Sequence, residues 1–224
     1  MPARSVPIKL ADGAIVSGLW DCPKGAVAAL VLAHGAGAGM AHKAMAATAD
    51  GLADRQIATL RYNFLYMERG SKRPDAPALA HAAVRAAVAE AARLAPTLPL
   101  FAGGRSFGGR MTSQAQADDP LPNVGGLVFF AFPLHPAGKP ASDRATHLAD
   151  VKLPMLFLQG TRDELAQLDL LKSAVAGLGT RASLKLFEDA DHSFHVPAKT
   201  GRKDAGVLAE LLDTARDWML KHAR

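Results

Sequence analysis

The segment around Ser106 constrains the fold more than any other part of the chain. Residues 98–103 form an apolar run typical of a buried strand, and residues 109–117 are predicted to form a helix. Between them, Gly104-Arg-Ser-Phe-Gly108 has the Gly-x-Ser-x-Gly spacing of a sharp strand-to-helix turn, which exposes the serine hydroxyl at its apex. We expect glycine to be required at 104 and 108, because the strand and helix backbones approach closely there. A glycine-rich turn without chemistry is the alternative for the pentapeptide alone.

Apolar strands alternate with helices along the whole chain. The predicted strands are Val6–Leu10, Ala14–Trp20, Ala28–Ala33, Ile57–Tyr62, Leu98–Gly103, Val124–Phe130, Met155–Leu158 and Leu184–Phe187. The predicted helices cover residues 41–55, 78–95, 109–117, 142–149, 164–177 and 204–222. This alternation predicts a three-layer α/β/α sandwich, with a mostly parallel sheet of about eight strands and an N-terminal antiparallel hairpin at Asp12-Gly13. We expect residues 1–224 to form a single domain of this class.

Composition and charge exclude several functional classes. The chain has a formal charge of +5, but its Lys and Arg residues are dispersed, so we expect a solvated basic surface and no nucleic-acid partner. No apolar run reaches the ~20 residues that span a bilayer, and the N-terminus lacks an export pattern. The single cysteine, Cys22, excludes an internal disulfide. These features favour a cytoplasmic protein without a membrane partner, and they leave the oligomeric state undetermined.

Polar residues directly follow several of the predicted strands. Ser106, Asp163 and His192 occur in the chain order serine, acid, histidine. A histidine can take the proton of a serine hydroxyl, and a carboxylate holds the histidine in the required tautomer. Because the carboxyl ends of parallel strands meet at one edge of a sheet, we expect these three side chains to converge there.

The loop that follows the third strand complements this arrangement. His34-Gly-Ala-Gly-Ala-Gly39 lacks the glycine spacing of a phosphate-binding loop. It is instead suited to stabilise an oxyanion with a backbone N–H, from Ala36 or alternatively Gly37. The Phe107 N–H, directly after Ser106, is the second predicted donor.

Four motifs resemble those of the α/β-hydrolase superfamily, and of a small capless dienelactone-hydrolase-like bacterial subgroup within it. They are His34-Gly-Ala-Gly-Ala-Gly39, Arg61-Tyr-Asn-Phe64, the segment from Gly103 to Arg110, and Asp191-His-Ser-Phe-His195. The resemblance implies a serine nucleophile at Ser106, an acid at Asp163, a base at His192, and no cofactor or metal. Asp189 departs from the pattern, because a glycine or a neutral residue is expected before the histidine.

Alternative roles remain open for several of these residues. Asp163 is also a candidate cap for the following helix. Asp189 and Asp191 are rival acids, and His34 and His195 are rival bases, although His34 is suited to shaping its loop. His192-x-x-His195 with Asp191 is the one candidate metal site.

The substrate site is expected to be shallow and open. Residues 131–153 are too few for a helical cap domain, which predicts an open site that admits water and small acyl groups. The candidate substrate-binding residues are His34, Tyr66, Met67, Arg105 and Phe132. Arg105 and nearby cations such as Arg61 and Arg110 form either an electropositive entrance for anionic substrates or a solvated face.

We therefore expect a serine hydrolase that cleaves small or short-chain carboxylic esters through an acyl-enzyme. One alternative is a non-catalytic scaffold or binding protein with the same fold. Another is a thioesterase or C–C hydrolase that uses the same three residues.

Overall fold

The computed structural model describes residues 3–223, which form one eight-stranded sheet flanked by helices. The strands are β1 (Arg4–Lys9), β2 (Ile15–Asp21), β3 (Ala28–Ala33), β4 (Ile57–Tyr62), β5 (Leu100–Arg105), β6 (Val124–Phe130), β7 (Met155–Gly160) and β8 (Ala182–Phe187). The helices are α1 (Lys43–Ala53), α2 (Leu65–Glu68), α3 (Pro77–Leu94), α4 (Phe107–Asp118), α5 (Leu168–Gly177) and α6 (Asp204–His222), with 3₁₀ helices at Asp143–Ala149, Gly179–Arg181 and Ala198–Thr200.

The strand order confirms the predicted fold class. The sheet runs β1-β2-β4-β3-β5-β6-β7-β8. β1 pairs antiparallel with β2, and β2 pairs antiparallel with β4. Every later neighbour is parallel, from the β3–β4 pair to the β7–β8 pair. The carboxyl ends of β3, β5, β7 and β8 therefore lie along one edge of the sheet.

Two apolar clusters cover the two faces of the sheet. On one face, buried residues of α3, α4 and α5 pack against the strands. On the other face, α1 and α6 contribute residues such as Met45, Leu52 and Leu211. All six residues of β3 are buried, as a central strand covered on both faces requires.

Some predicted boundaries are wrong for local reasons. β5 begins two residues later than predicted and extends through Arg105, and Pro99 in the predicted start lacks the N–H that a paired strand uses. The helix predicted over 164–177 begins at Leu168, because residues 163–166 form a turn around the Asp163 carboxylate. The four-residue helix α2 was not predicted, since so short a segment shows no helical periodicity.

The connection between β6 and β7 contains only the 3₁₀ helix Asp143–Ala149, near the short helix predicted at 142–149. Among residues 3–223, no helix combines the length and the apolar composition needed to cross a bilayer.

Candidate active site

Ser106 lies at the apex of the turn between β5 and α4. Its backbone has φ 49° and ψ −116°, a strained combination for a residue with a side chain. A side chain at position 104 would collide with the backbone of Ala33, and one at 108 would lie 2.6 Å from the carbonyl oxygen of His34. The expected need for glycine at both positions is therefore confirmed. The turn holds the Ser106 hydroxyl above the sheet edge.

Ser106, His192 and Asp163 form one hydrogen-bonded chain. His192 Nε2 lies 2.9 Å from Ser106 Oγ, and His192 Nδ1 lies 2.7 Å from Asp163 Oδ2. Since the carboxylate only accepts, Nδ1 carries the proton and Nε2 is free to accept from the serine. The Asp163 side chain is fully buried, whereas the His192 side chain is 24% exposed and can meet a substrate.

Asp163 has two further donors that orient its carboxylate. Leu165 N–H donates to Oδ1 at 2.8 Å within the turn that precedes α5. The interpretation of Asp163 as a helix cap is wrong, because α5 begins only at Leu168, after Gln167. The side-chain amide of Gln159, at the end of β7, donates to Oδ2. Gln159 is fully buried, and its own carbonyl oxygen has no partner among the described residues. Sequence reasoning missed Gln159, because only the fold places it beneath Asp163.

The rival acids and bases have other contacts. Asp191 accepts the N–H groups of Ser193 and His195, which closes the turn that carries His192. His195 pairs with Asp204 at 2.8 Å and faces solvent. Asp189, where a glycine or a neutral residue was expected, adopts φ 59°, a left-handed conformation that aspartate tolerates. The two histidines of the candidate metal motif thus pair with different carboxylates, and no group of three metal-ligating side chains occurs among residues 3–223.

His34 positions the loop that follows β3. It is completely buried, donates from Nδ1 to the Gly35 carbonyl at 2.8 Å, and accepts the Phe64 N–H at Nε2. Burial lowers the pKa of His34, which keeps the ring neutral for these two bonds. Because the ring is enclosed and both nitrogens are engaged, this position gives no support to a substrate contact of His34, which stays a prediction.

The same loop offers backbone donors at the site. Ala36 lines the cleft beside Ser106, and Phe107 is the first residue of α4, where helix N–H groups have no partner within the helix. Gly37 N–H instead faces the buried Tyr66 hydroxyl, whose pKa is raised by burial in spite of this amide. The hydroxyl makes no hydrogen bond of acceptable geometry among the described residues, so the Gly37 N–H is close to it without a well-formed bond. This geometry favours Ala36 over Gly37 as the second oxyanion donor.

Two of the predicted wall residues belong to the core. Tyr66 is 2% exposed and Phe132 is 0% exposed, and Phe132 packs edge-on against Phe129 and Phe157. These buried positions give no support to the predicted substrate contacts of Tyr66 and Phe132, which stay predictions. Met67 is half-buried beside Gly39 in the loop after β3, and its role stays a prediction.

A cleft contains Ser106 and His192 and is not lined by Tyr66, Met67 or Phe132. It has a volume of about 480 Å³ and is lined by the loop 35–38, the first turn of α1, Leu165 and His192. Arg105 forms part of its wall and donates to the backbone carbonyl of His192 at 3.2 Å. Arg61, by contrast, is buried and bonds to the Met40 carbonyl, so it does not contribute to the entrance.

A second serine–histidine pair lies away from the cleft. Ser113 Oγ on α4 lies 2.8 Å from His147 Nε2 on the 3₁₀ helix 143–149. Ser113 is fully buried and donates to the Arg110 carbonyl, so the pair connects two helices and presents no hydroxyl to a substrate.

Comparisons with known proteins agree with the fold. A family model described as an alpha/beta hydrolase domain matches residues 26–220. A dienelactone hydrolase from Anabaena variabilis superposes with a TM-score of 0.78 at 20% identity, covering 99% of this chain and 98% of the other. A lidless α/β serine hydrolase from Xanthomonas campestris gives 0.73 at 22% identity over 97% and 95%. The esterase Est1E from Butyrivibrio proteoclasticus, with ferulic acid bound, gives 0.75 at 16% identity over 97% and 98%. Since the family model covers most of the sequence, the chain belongs to the α/β-hydrolase family.

Proposed function

We propose that this protein is a serine hydrolase that cleaves small carboxylic esters through an acyl-enzyme. The observation that carries the proposal is the chain of two short hydrogen bonds from Ser106 through His192 to the buried Asp163. Family membership supports hydrolysis, and proteins of similar fold include a dienelactone hydrolase and an esterase bound to ferulic acid.

In the first half of the reaction, Ser106 Oγ attacks the ester carbonyl while His192 Nε2 takes the hydroxyl proton. The negative charge that develops on the carbonyl oxygen is stabilised by the N–H groups of Phe107 and Ala36. His192 then gives its proton to the departing alcohol oxygen, which leaves an acyl group on Ser106. Asp163 holds Nδ1–H throughout and stabilises the transient imidazolium.

In the second half, a water molecule enters the open cleft and attacks the acyl carbonyl. His192 Nε2 accepts the proton of that water and returns it to Ser106 Oγ when the carboxylic acid leaves. The partial exposure of His192 supports this step, because the water needs access to Nε2.

We further propose that the cleft prefers esters that carry a carboxylate. The Arg105 guanidinium has five N–H donors, and its single side-chain hydrogen bond within residues 3–223 is to the His192 carbonyl. Burial lowers the pKa of Arg105, and the carboxylates of Asp191 and Asp163 oppose that shift, so the group stays charged beside Ser106. An anionic group on a substrate would supply the partner that the remaining donors lack.

Replacement of the nucleophile tests the reaction. We expect Ser106→Ala to lower kcat for p-nitrophenyl acetate by at least about 10³-fold and to abolish labelling by a fluorophosphonate probe. Ser113→Ala is the matched control, since it removes the serine of the other serine–histidine pair, and its activity should stay within a few-fold of wild type. Equal rates for Ser106→Ala and wild type would refute the mechanism. An unlabelled and inactive wild-type protein would favour a non-catalytic scaffold.

A further inference from the structure

A separate apolar cavity lies beside the cleft, between α1 and α6. It has a volume of about 200 Å³ and is lined by Leu32, Met45, Phe130, Phe194, Leu208 and Leu211. The short side chains of Ala44 and Ala47 on α1 and of Ala205 on α6 leave this space open. An apolar cavity of roughly 150 Å³ is enough to hold a benzene ring, so this cavity has room for one ring or a short branched chain.

The cavity is next to the reacting atoms. It shares four lining residues with the cleft that contains Ser106 and His192, namely Ala44, Met45, Arg105 and Ser193. Arg105 directly precedes the nucleophile and contacts the His192 carbonyl. The wall that the two spaces share is therefore adjacent to the nucleophile. An acyl group attached to Ser106 could therefore extend from the cleft into the cavity.

Most polar groups around the cavity are engaged elsewhere. The Thr48 hydroxyl donates to the Ala44 carbonyl, and the Asp204 carboxylate pairs with His195 and accepts the Val196 N–H. Two further polar residues, Arg105 and Ser193, lie on the wall that the cavity shares with the cleft. The other lining residues are aliphatic or aromatic, which matches an uncharged hydrocarbon group held beyond that wall.

We propose that this cavity is the acyl pocket of the enzyme, and that the preferred acids carry a ring-sized or short branched apolar group. This inference rests on the proposed serine esterase function. It replaces the expectation of a merely shallow site, because the wall that binds the acyl group is built by α1 and α6. Long linear acids would exceed the volume, and acetate would leave it unfilled.

The test compares two esters that share a leaving group. We expect kcat/KM for p-nitrophenyl cyclohexanecarboxylate, divided by its hydroxide-catalysed rate, to exceed the equally normalised value for p-nitrophenyl acetate by at least about tenfold. Leu208→Trp fills the cavity and should reduce this ratio about tenfold or more. Leu208→Ala enlarges the cavity and should extend the preference to bulkier acids.

Leu170→Trp is the matched control, because Leu170 is also a half-buried helical leucine and lines neither space. It should leave the ratio unchanged. The proposal is overturned if wild type shows no preference for the ring, or if Leu208→Trp leaves the ratio where Leu170→Trp does. In either case an inactive Ser106→Ala would still support the hydrolase function, whereas an active Ser106→Ala would refute that function independently.

Discussion

Replacement of Asp163 by asparagine tests how the buried carboxylate controls His192. The variant keeps the size of the side chain but converts one acceptor oxygen into an N–H₂ donor. Oδ1 of Asp163 accepts the backbone N–H of Leu165, which cannot rotate to offer an acceptor. The new amide therefore keeps its carbonyl oxygen on Leu165 and turns its N–H₂ group toward His192 and Gln159.

This orientation selects the wrong histidine tautomer. Gln159 can adapt, because rotation of its amide brings its unpartnered carbonyl oxygen to the new donor. His192 must then accept at Nδ1 and carry its proton on Nε2, where it cannot take the proton of Ser106. In serine–histidine–aspartate enzymes this change lowers kcat by about 10⁴-fold, so we expect a loss of about 10³–10⁴-fold, or ~4–5.5 kcal/mol in the activation free energy.

The assay is steady-state hydrolysis of p-nitrophenyl acetate, with thermal unfolding to verify that the variant is folded. Asp191→Asn is the matched control, because its amide oxygen can still accept the N–H groups of Ser193 and His195, and it should lose only a few-fold. The reasoning is refuted if Asp191→Asn is the crippling change and Asp163→Asn is mild.

Two further predictions follow from charged groups near α4. Arg105→Gln should lower the ratio of kcat/KM for mono-p-nitrophenyl glutarate to kcat/KM for its neutral methyl ester by about tenfold, because the guanidinium that binds the carboxylate is lost. Arg105→Lys should retain the preference for the anionic ester at low salt, since a positive charge remains and is weakly screened. Equal ratios in wild type, Arg105→Gln and Arg105→Lys would mean that Arg105 only supports the turn that carries His192. Burial, aided by Arg110, lowers the pKa of His147 to about 4. The unfolded side chain has a pKa near 6.5, so the unfolded state binds more protons as pH falls from 6.5 to 4 and the free energy of unfolding decreases in that window. The shift corresponds to at most ~3.4 kcal/mol, and to about 1–2 kcal/mol after allowance for the partial exposure of His147. Between pH 7 and 4.5, denaturant unfolding should show a loss that is larger in wild type than in His147→Gln by this amount, because buried His34 contributes to the loss in both proteins. An equal loss in the two proteins would contradict the prediction.

The parts of the fold that could be predicted are those with a local signal. β3 and β4 are six-residue apolar or mixed runs that are buried throughout, and the glycines around Ser106 mark a turn that only small residues permit. The chain order of Ser106, Asp163 and His192, and their positions at strand ends, were then sufficient to predict that they meet at one edge of the sheet.

The unpredicted parts depend on the direction of side chains. Tyr66 and Phe132 follow strands, as site residues do, but their rings point into the core. Gln159 becomes relevant only because β7 ends beneath Asp163, and no local pattern distinguishes it from an ordinary strand residue. The late start of α5 has the same origin, since the Asp163 carboxylate binds the Leu165 N–H within a non-helical turn.

The backbone of Ser106 places function and stability in opposition at one position. A residue with a side chain at φ 49° and ψ −116° costs about 1–3 kcal/mol, and glycine would adopt the same angles without that strain. The most stable residue for this turn is therefore one that cannot act as a nucleophile. Glycine would be the better residue here for folding alone, so a serine at this position supports the proposed role of its hydroxyl as the nucleophile.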